Sequence, residues 1–290
     1  MNATDFSNPW IIAAGAAQRQ ARAWVTLAAA CAVAVAAIMG GGWLWQAMGL
    51  ALPPMAGQAV AYLILLGPFY VASAVAIGVI ERRPWPKAGV PGAVSGVFGL
   101  VSGLIAFGVC VGLSSVSGVL KIGAPSGIGA LGLAGMAGLT LFQVGAEEVL
   151  FRGWLQPVLC RHWGPWVGLL ATSFVFALMH LINGPFSLVG VVNITFAGVV
   201  FGLLALRTGR LLGPILGHFA WNFTEANVVG LFPNPGVDGA GSVFNFDLIG
   251  PAWLGGAGDG LNQSILATVA LALWLAGLVL MGGKTAARQD

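Results

Sequence analysis

The sequence predicts an all-α, polytopic membrane protein of about eight transmembrane helices enclosing a polar cavity within the membrane. Three observations carry this prediction. The 290 residues are 58% hydrophobic and only 7% Asp, Glu, Lys or Arg, whereas a soluble domain carries about 25% charge. Mean hydropathy is +0.91, and apolar runs of roughly 20 residues, the length that crosses a ~30 Å hydrocarbon core, recur along the chain. These runs are continuous rather than alternating, which argues against a barrel. The same composition excludes disorder, a coiled coil and nucleic-acid binding.

Each element follows from its local composition. Residues 1–23, with Asp5, Arg19 and Arg22, are polar enough to stay in water. The stretch 24–50 is too long for a signal-peptide core and reads as a first span that stays in the membrane. Pro53 and Pro54 break the chain. A second span covers 57–80 and ends in Glu81-Arg82-Arg83-Pro84-Trp85-Pro86-Lys87; a third covers 94–120, before Lys121. Residues 125–160 exceed one crossing at ~1.5 Å per residue. They form either one tilted helix or a short interfacial piece followed by a span. Arg161 and His162 close this stretch, and further spans cover 165–181, 187–206 and 211–229. A Gly/Pro-rich loop, 230–262, precedes a last span at 264–281.

Charge placement tests the count. With the N-terminus in the cytoplasm and eight crossings, Arg19, Arg22, Arg82, Arg83, Lys87, Arg161, Arg207, Arg210, Lys284 and Arg288 fall on the cytoplasmic side. Lys121 alone lies outside, and Arg152 lies within a span. Loop 230–262 contains no Lys or Arg but carries Asp238, Asp247 and Asp259. This is the bias of the positive-inside rule, and an odd number of spans would destroy it. Both termini are therefore expected in the cytoplasm. The absence of appended domains fits a bacterial inner-membrane protein. Cys31, Cys110 and Cys160 sit in or beside apolar segments, as inert buried thiols do. The glycines suit close helix packing.

Charges inside spans stand out against this background. Glu147, Glu148 and Arg152 lie together in Gly145-Ala146-Glu147-Glu148-Val149-Leu150-Phe151-Arg152-Gly153. Each costs ~2.5–3.5 kcal/mol at mid-membrane, so together they must face protein or a water-filled cavity. Glu148 and Arg152, four apart, share a helix face and form a natural ion pair. That pair is either purely structural or part of a site. Glu147, turned about 100° away, lacks that partner and can act as a general base. Gln143, one turn earlier, is placed to orient it. Two later helices carry His180 (in Phe176-Ala177-Leu178-Met179-His180) and His218 with Asn222. His218 and Asn222 are four apart and point at one place, where Asn222 can fix the imidazole or stabilise an oxyanion. Glu225 shares that face and either lines the same cavity or reaches the outer interface. His162 reads as a solvated loop residue, and Asn193 and Asn183 as packing or turn residues.

These motifs, E-E-x-x-x-R at Glu147, Glu148 and Arg152, F-x-x-x-H at Phe176 and His180, and H-x-x-x-N at His218 and Asn222, resemble the CAAX protease and bacteriocin-processing family of intramembrane proteases. That family includes the type II CAAX prenyl endopeptidases. The resemblance spans residues 143–223, a motif-bearing core within a single integral membrane domain. It implies peptide-bond hydrolysis in the membrane. Glu147 and His180 would activate a water, His218 and Asn222 would stabilise the oxyanion, and Glu148 with Arg152 would lock the helix. The implied partners are a membrane-associated protein or peptide, prenylated or carrying a leader, and the lipid bilayer. A zinc site made by Glu147, His180 and His218 with one open position is chemically admissible, although H-E-x-x-H is absent and a metal-free, glutamate-activated water explains the same residues. The rival class is a non-catalytic scaffold or transporter that uses the Glu/His cluster for binding or proton relay. Such a transporter would show inverted repeats, and none is visible.

Overall fold

The computed structural model describes residues 9–83, 90–123, 125, 127–182, 187–231, 241–255 and 260–286. Its order is α1 (Pro9–Gly15), α2 (Ala23–Met48), α3 (Pro54–Ile80), α4 (Val90–Val116), β1 (Leu120–Gly123), α5 (Ala130–Trp163), α6 (Pro165–His180), α7 (Leu188–Thr208), α8 (212–229), β2 (Asn245–Leu248) and α9 (Ile265–Ala286). The eight rods α2 to α9 occupy the eight expected stretches. Five of them (α2, α3, α4, α5 and α7) are long and apolar enough to cross a membrane, and α6 and α9 are shorter apolar helices.

Several boundaries differ from the sequence reading. The stretch 125–160 resolves into one rod starting at Ala130, not an interfacial piece followed by a span. The third span ends at Val116, not at residue 120, because Leu120–Gly123 leaves the helix to pair antiparallel with Asn245–Leu248, Lys121 opposite Asp247. The loop 230–262 thus holds a strand, which short length and distant pairing hid. Residues 1–23 are not wholly solvated, since α1 packs on the end of α5 and buries Ile11. Asp238, Asp259, Lys87, Asn183 and Arg288 lie outside the described residues.

Two apolar clusters fill the bundle. One gathers Phe107, Cys110, Leu204, Trp221 and Trp274 from α4, α7, α8 and α9. The other gathers Ala30, Phe69, Leu150, Phe151 and Phe176 from α2, α3, α5 and α6. Close helix contact brings α8 onto α4: a Cβ on Gly99 would strike Gly213 O, and one on Gly103 would crowd Gly217 O. Glycine at both positions lets the backbones meet, as is common where helices pack in membranes. This contact holds His218, the residue after Gly217, at the seam between the two clusters. Asn193 on α7 ties α9 in by donating to Asn262 O and Ser264 O, both at 2.9 Å, and accepting from Thr268. Its packing role is borne out. The three cysteines are free, with Cys110 and Cys160 buried.

Candidate active site

The site is built around a wide turn in α5. Gln156 N–H reaches Phe151 O, five residues back, so the helix from Val149 to Leu155 is wider than an α-helix. Such insertions recur at functional sites. Pro157 supplies part of the cause. It has no N–H and cannot bond the carbonyl four residues earlier, that of Gly153. Arg83 replaces the missing donor, giving one guanidinium N–H to Gly153 O at 2.9 Å. Arg83 is in turn paired with Glu81 at 2.6 Å, and Glu81 accepts from Trp154 Nε1 at 2.8 Å. Arg82 between them takes a left-handed backbone (φ 52°), and both neighbours are buried while Arg82 is exposed. Burial pushes the Arg83 guanidinium below its usual value, with Glu81 opposing. Sequence reasoning counted Arg83 only among the charges that set topology; the structure adds that it is a buried brace of the site helix.

Within the wide turn Glu148 and Arg152 form the expected pair, at 3.0 Å, both fully buried. The same carboxylate oxygen, Oε1, also accepts from His218 Nδ1 at 3.0 Å. Arg152 donates to Gly198 O at 3.1 Å, and Gln156, one turn on, donates to Gly202 O at 3.0 Å. Two side chains four apart on α5 thus meet two carbonyls four apart on α7. The guanidinium lies 4.4 Å from the Phe176 ring centre and 5.7 Å from that of Phe201, a cation–π arrangement that strengthens when desolvated. Phe176 and Phe201 belong to different apolar clusters, so Arg152 closes the seam between them.

The two imidazoles flank Phe176, with ring centres 4.7 Å (His180) and 6.2 Å (His218) away. His218 stacks on Phe201 at 4.5 Å. His180 Nδ1 lies 2.8 Å from Phe176 O. A carbonyl only accepts, so this assigns the proton to Nδ1 and leaves Nε2 as the acceptor. His218 likewise spends Nδ1–H on Glu148. In both rings Nδ1 is thus engaged, and Nε2 is the nitrogen left over.

Glu147 is buried, and among the described residues it makes no hydrogen bond or ion pair; its Oε2 is fully enclosed. Gln143 does not orient it, as the sequence suggested. Gln143 Oε1 accepts from Tyr62 at 2.9 Å, and Tyr62 accepts from Gln58 at 3.1 Å. Tyr62 and Tyr70 both lie within electrostatic reach of Glu147, and the sequence reading missed all three α3 residues. Asn222 is half-buried and makes no hydrogen bond to His218. Glu225 is buried rather than at the outer interface. His162 is exposed and its ring meets Ala21 O at 2.8 Å. Among the described residues no three His, Cys, Asp or Glu side chains gather as a group that could hold a metal ion, so Glu147, His180 and His218 do not form a ready zinc site.

Residues 129–224 match the family model described as type II CAAX prenyl endopeptidase Rce1-like. This segment is an Rce1-like domain. It contains all seven motif residues, from Glu147 to Asn222, as well as the wide turn and its glycine partners on α7. No curated protein and no solved structure matches the chain. The matched segment covers a third of the chain, and the apolar helices around it, five of them long enough to span a bilayer, mark a multi-pass membrane protein.

Proposed function

We propose that this chain is an intramembrane endopeptidase that hydrolyses a peptide bond of a membrane-associated protein or peptide. The observation that carries the reading is the Glu148–Arg152–His218 network inside the Rce1-like segment, with Glu147 adjoining Glu148 on α5 and His180 against the Phe176 ring that also meets His218. Glu147 takes a proton from a water as that water attacks the substrate carbonyl carbon. A bound histidine oriented through its other nitrogen is a suitable proton carrier: Glu147 gives the proton to His180 Nε2, which delivers it to the leaving amine as the C–N bond breaks, so that both groups return to their starting state. Glu148 fixes the His218 imidazole through its Nδ1–H, and the Asn222 amide one turn on donates to the oxyanion. No step runs through a metal.

The chain makes eight crossings, with the basic loops in the cytoplasm. The structure supports this arrangement because those loops gather at one end of the bundle. Ala21 O meets His162, Glu81 O accepts from Arg19 N at 3.2 Å, and Arg207 reaches Val279 O at 3.4 Å. The test compares the membrane proteome of a deletion strain complemented with wild type or with Glu147→Gln. Precursors left uncut only by the variant are expected. If the variant clears every precursor at the wild-type rate, the reading falls and a scaffold role replaces it.

A further inference from the structure

At the basic end of the bundle the segment 15–24, which leads into α2, runs across the ends of α3 and α5 and gathers their arginines. Arg19 N–H donates to Glu81 O at 3.2 Å, which sets Arg19 against the Glu81–Arg82 peptide. Ala21 O meets the His162 ring, and Trp24 packs on Trp163 with ring centres 4.6 Å apart, so Arg22 lies beside the end of α5. At the start of the segment, a Cβ on Gly15 would come within 2.9 Å of Arg161 Nε. Arg19, Arg22, Arg82 and Arg161 are all exposed, and among the described residues none is in an ion pair. The carboxylate at this end, Glu81, is taken by Arg83 and Trp154.

Topology requires positive charge on one side of the membrane, but not charges drawn together. The negative end of a helix dipole accounts for Arg161, in the last turn of α5, and for Arg82, just past the end of α3. It does not account for Arg22, which precedes the first turn of α2, the end where a cation is disfavoured. Arg82 also takes a left-handed backbone (φ 52°), seldom adopted by residues with a side chain, which turns it outward between two buried neighbours. Like charges held this way call for an anion. The depth of the cluster suggests its source. Ala23, Ile80 and Trp163 are ends of apolar spans, and Trp24 and Trp166 stand exposed there, as aromatic residues do at headgroup level.

We propose that Arg19, Arg22, Arg82 and Arg161 form a binding site for the phosphodiester headgroup of an anionic phospholipid. Guanidinium forks suit phosphate oxygens, and Trp24, exposed next to Arg22 in the chain, offers the lipid an apolar surface. The bound lipid fastens the segment 15–24 to the ends of α3 and α5, beside the Glu81–Arg83 pair that braces the wide turn. The site is independent of the protease reading.

The test uses full-length protein in a neutral detergent. Native mass spectrometry reads the retention of single lipids, and the thermal unfolding temperature is followed as each probe is added. The probes are phosphatidylglycerol, phosphatidylcholine and inorganic phosphate. Wild type should retain phosphatidylglycerol in preference to phosphatidylcholine and be stabilised by it. Arg82→Gly removes a charge and suits the left-handed backbone, so without lipid this variant should unfold no earlier than wild type. Combined with Arg19→Gln it should weaken phosphatidylglycerol binding about 25-fold, at about fivefold for each basic group beside an anionic surface. Arg207→Gln, at the same end but outside the cluster, should leave binding unchanged. Four results each overturn the proposal: equal retention of the two lipids, binding by the double variant equal to wild type, a loss in Arg207→Gln as large as in the double variant, or stabilisation by inorganic phosphate as large as by phosphatidylglycerol. The last would make the occupant a free anion rather than a lipid.

Discussion

Glu147 and Glu148 are the same residue type on adjacent positions of one helix, yet their surroundings are opposite. Glu148 faces the α7–α8 side, where Arg152 and His218 share one of its oxygens. Glu147 faces the α3 side, toward Tyr62 and Tyr70, with no hydrogen bond among the described residues. The 100° between successive helical side chains separates a carboxylate used up by architecture from one left for chemistry. A buried ion pair costs desolvation that further hydrogen bonds must offset; His218 on Glu148 Oε1 and Gly198 O on Arg152 supply two of them, while Glu148 Oε2 makes no hydrogen bond among the described residues.

The contrast can be broken from either side. The largest effect expected is on Glu147. Replacing it with Gln should lower cleavage of a validated substrate by about 10²–10⁴-fold, the usual contribution of a general base. The thermal unfolding profile in detergent should not move. Arg152→Met should do the reverse, destabilising by about 3–5 kcal/mol because it strands the buried Glu148 charge. Yield and inactivation temperature measure this, and the double variant with Glu148→Gln should recover much of the loss. Arg83→Gln should cost about 3–5 kcal/mol, because it strands the buried Glu81 charge as well as leaving Gly153 O without its donor. Adding Pro157→Ala, which returns an N–H to the helix, should reduce that loss. If the double variant is no more stable than Arg83→Gln alone, capping of this carbonyl is not what Arg83 supplies. Tyr62→Phe should have the smallest effect, about 0.5–1.5 kcal/mol for one hydrogen bond, with His218 and Arg152 chemical shifts unchanged.

The helices were legible in sequence because hydrocarbon sets their length and leaves few residues to interpret. The Glu148–Arg152 pair was legible because its spacing lies within one helix. What could not be read was every contact between distant segments. Pro157 is visible in the sequence, but the donor that answers it, Arg83, comes from the end of α3. Gln143 was placed correctly on the Glu147 face, yet Tyr62 takes its oxygen. The sequence could not tell whether Glu225 is buried or exposed; it is buried in the last turns of α8. His218 and Asn222 read as a matched pair by spacing, whereas the partner that holds His218 is Glu148, on another helix.

The ribbon of Leu120–Gly123 with Asn245–Leu248 has a consequence in time. Its first strand is synthesised well before its second, with the segment 124–244 between them. At ~5–20 residues per second that delay is roughly 6–24 s. During it the helices bearing Glu147, His180 and His218 are all made, while the first strand stands with an unpaired edge. The ribbon can thus close only after the helices that carry Glu147, His180 and His218 have been made, with α9 still to follow.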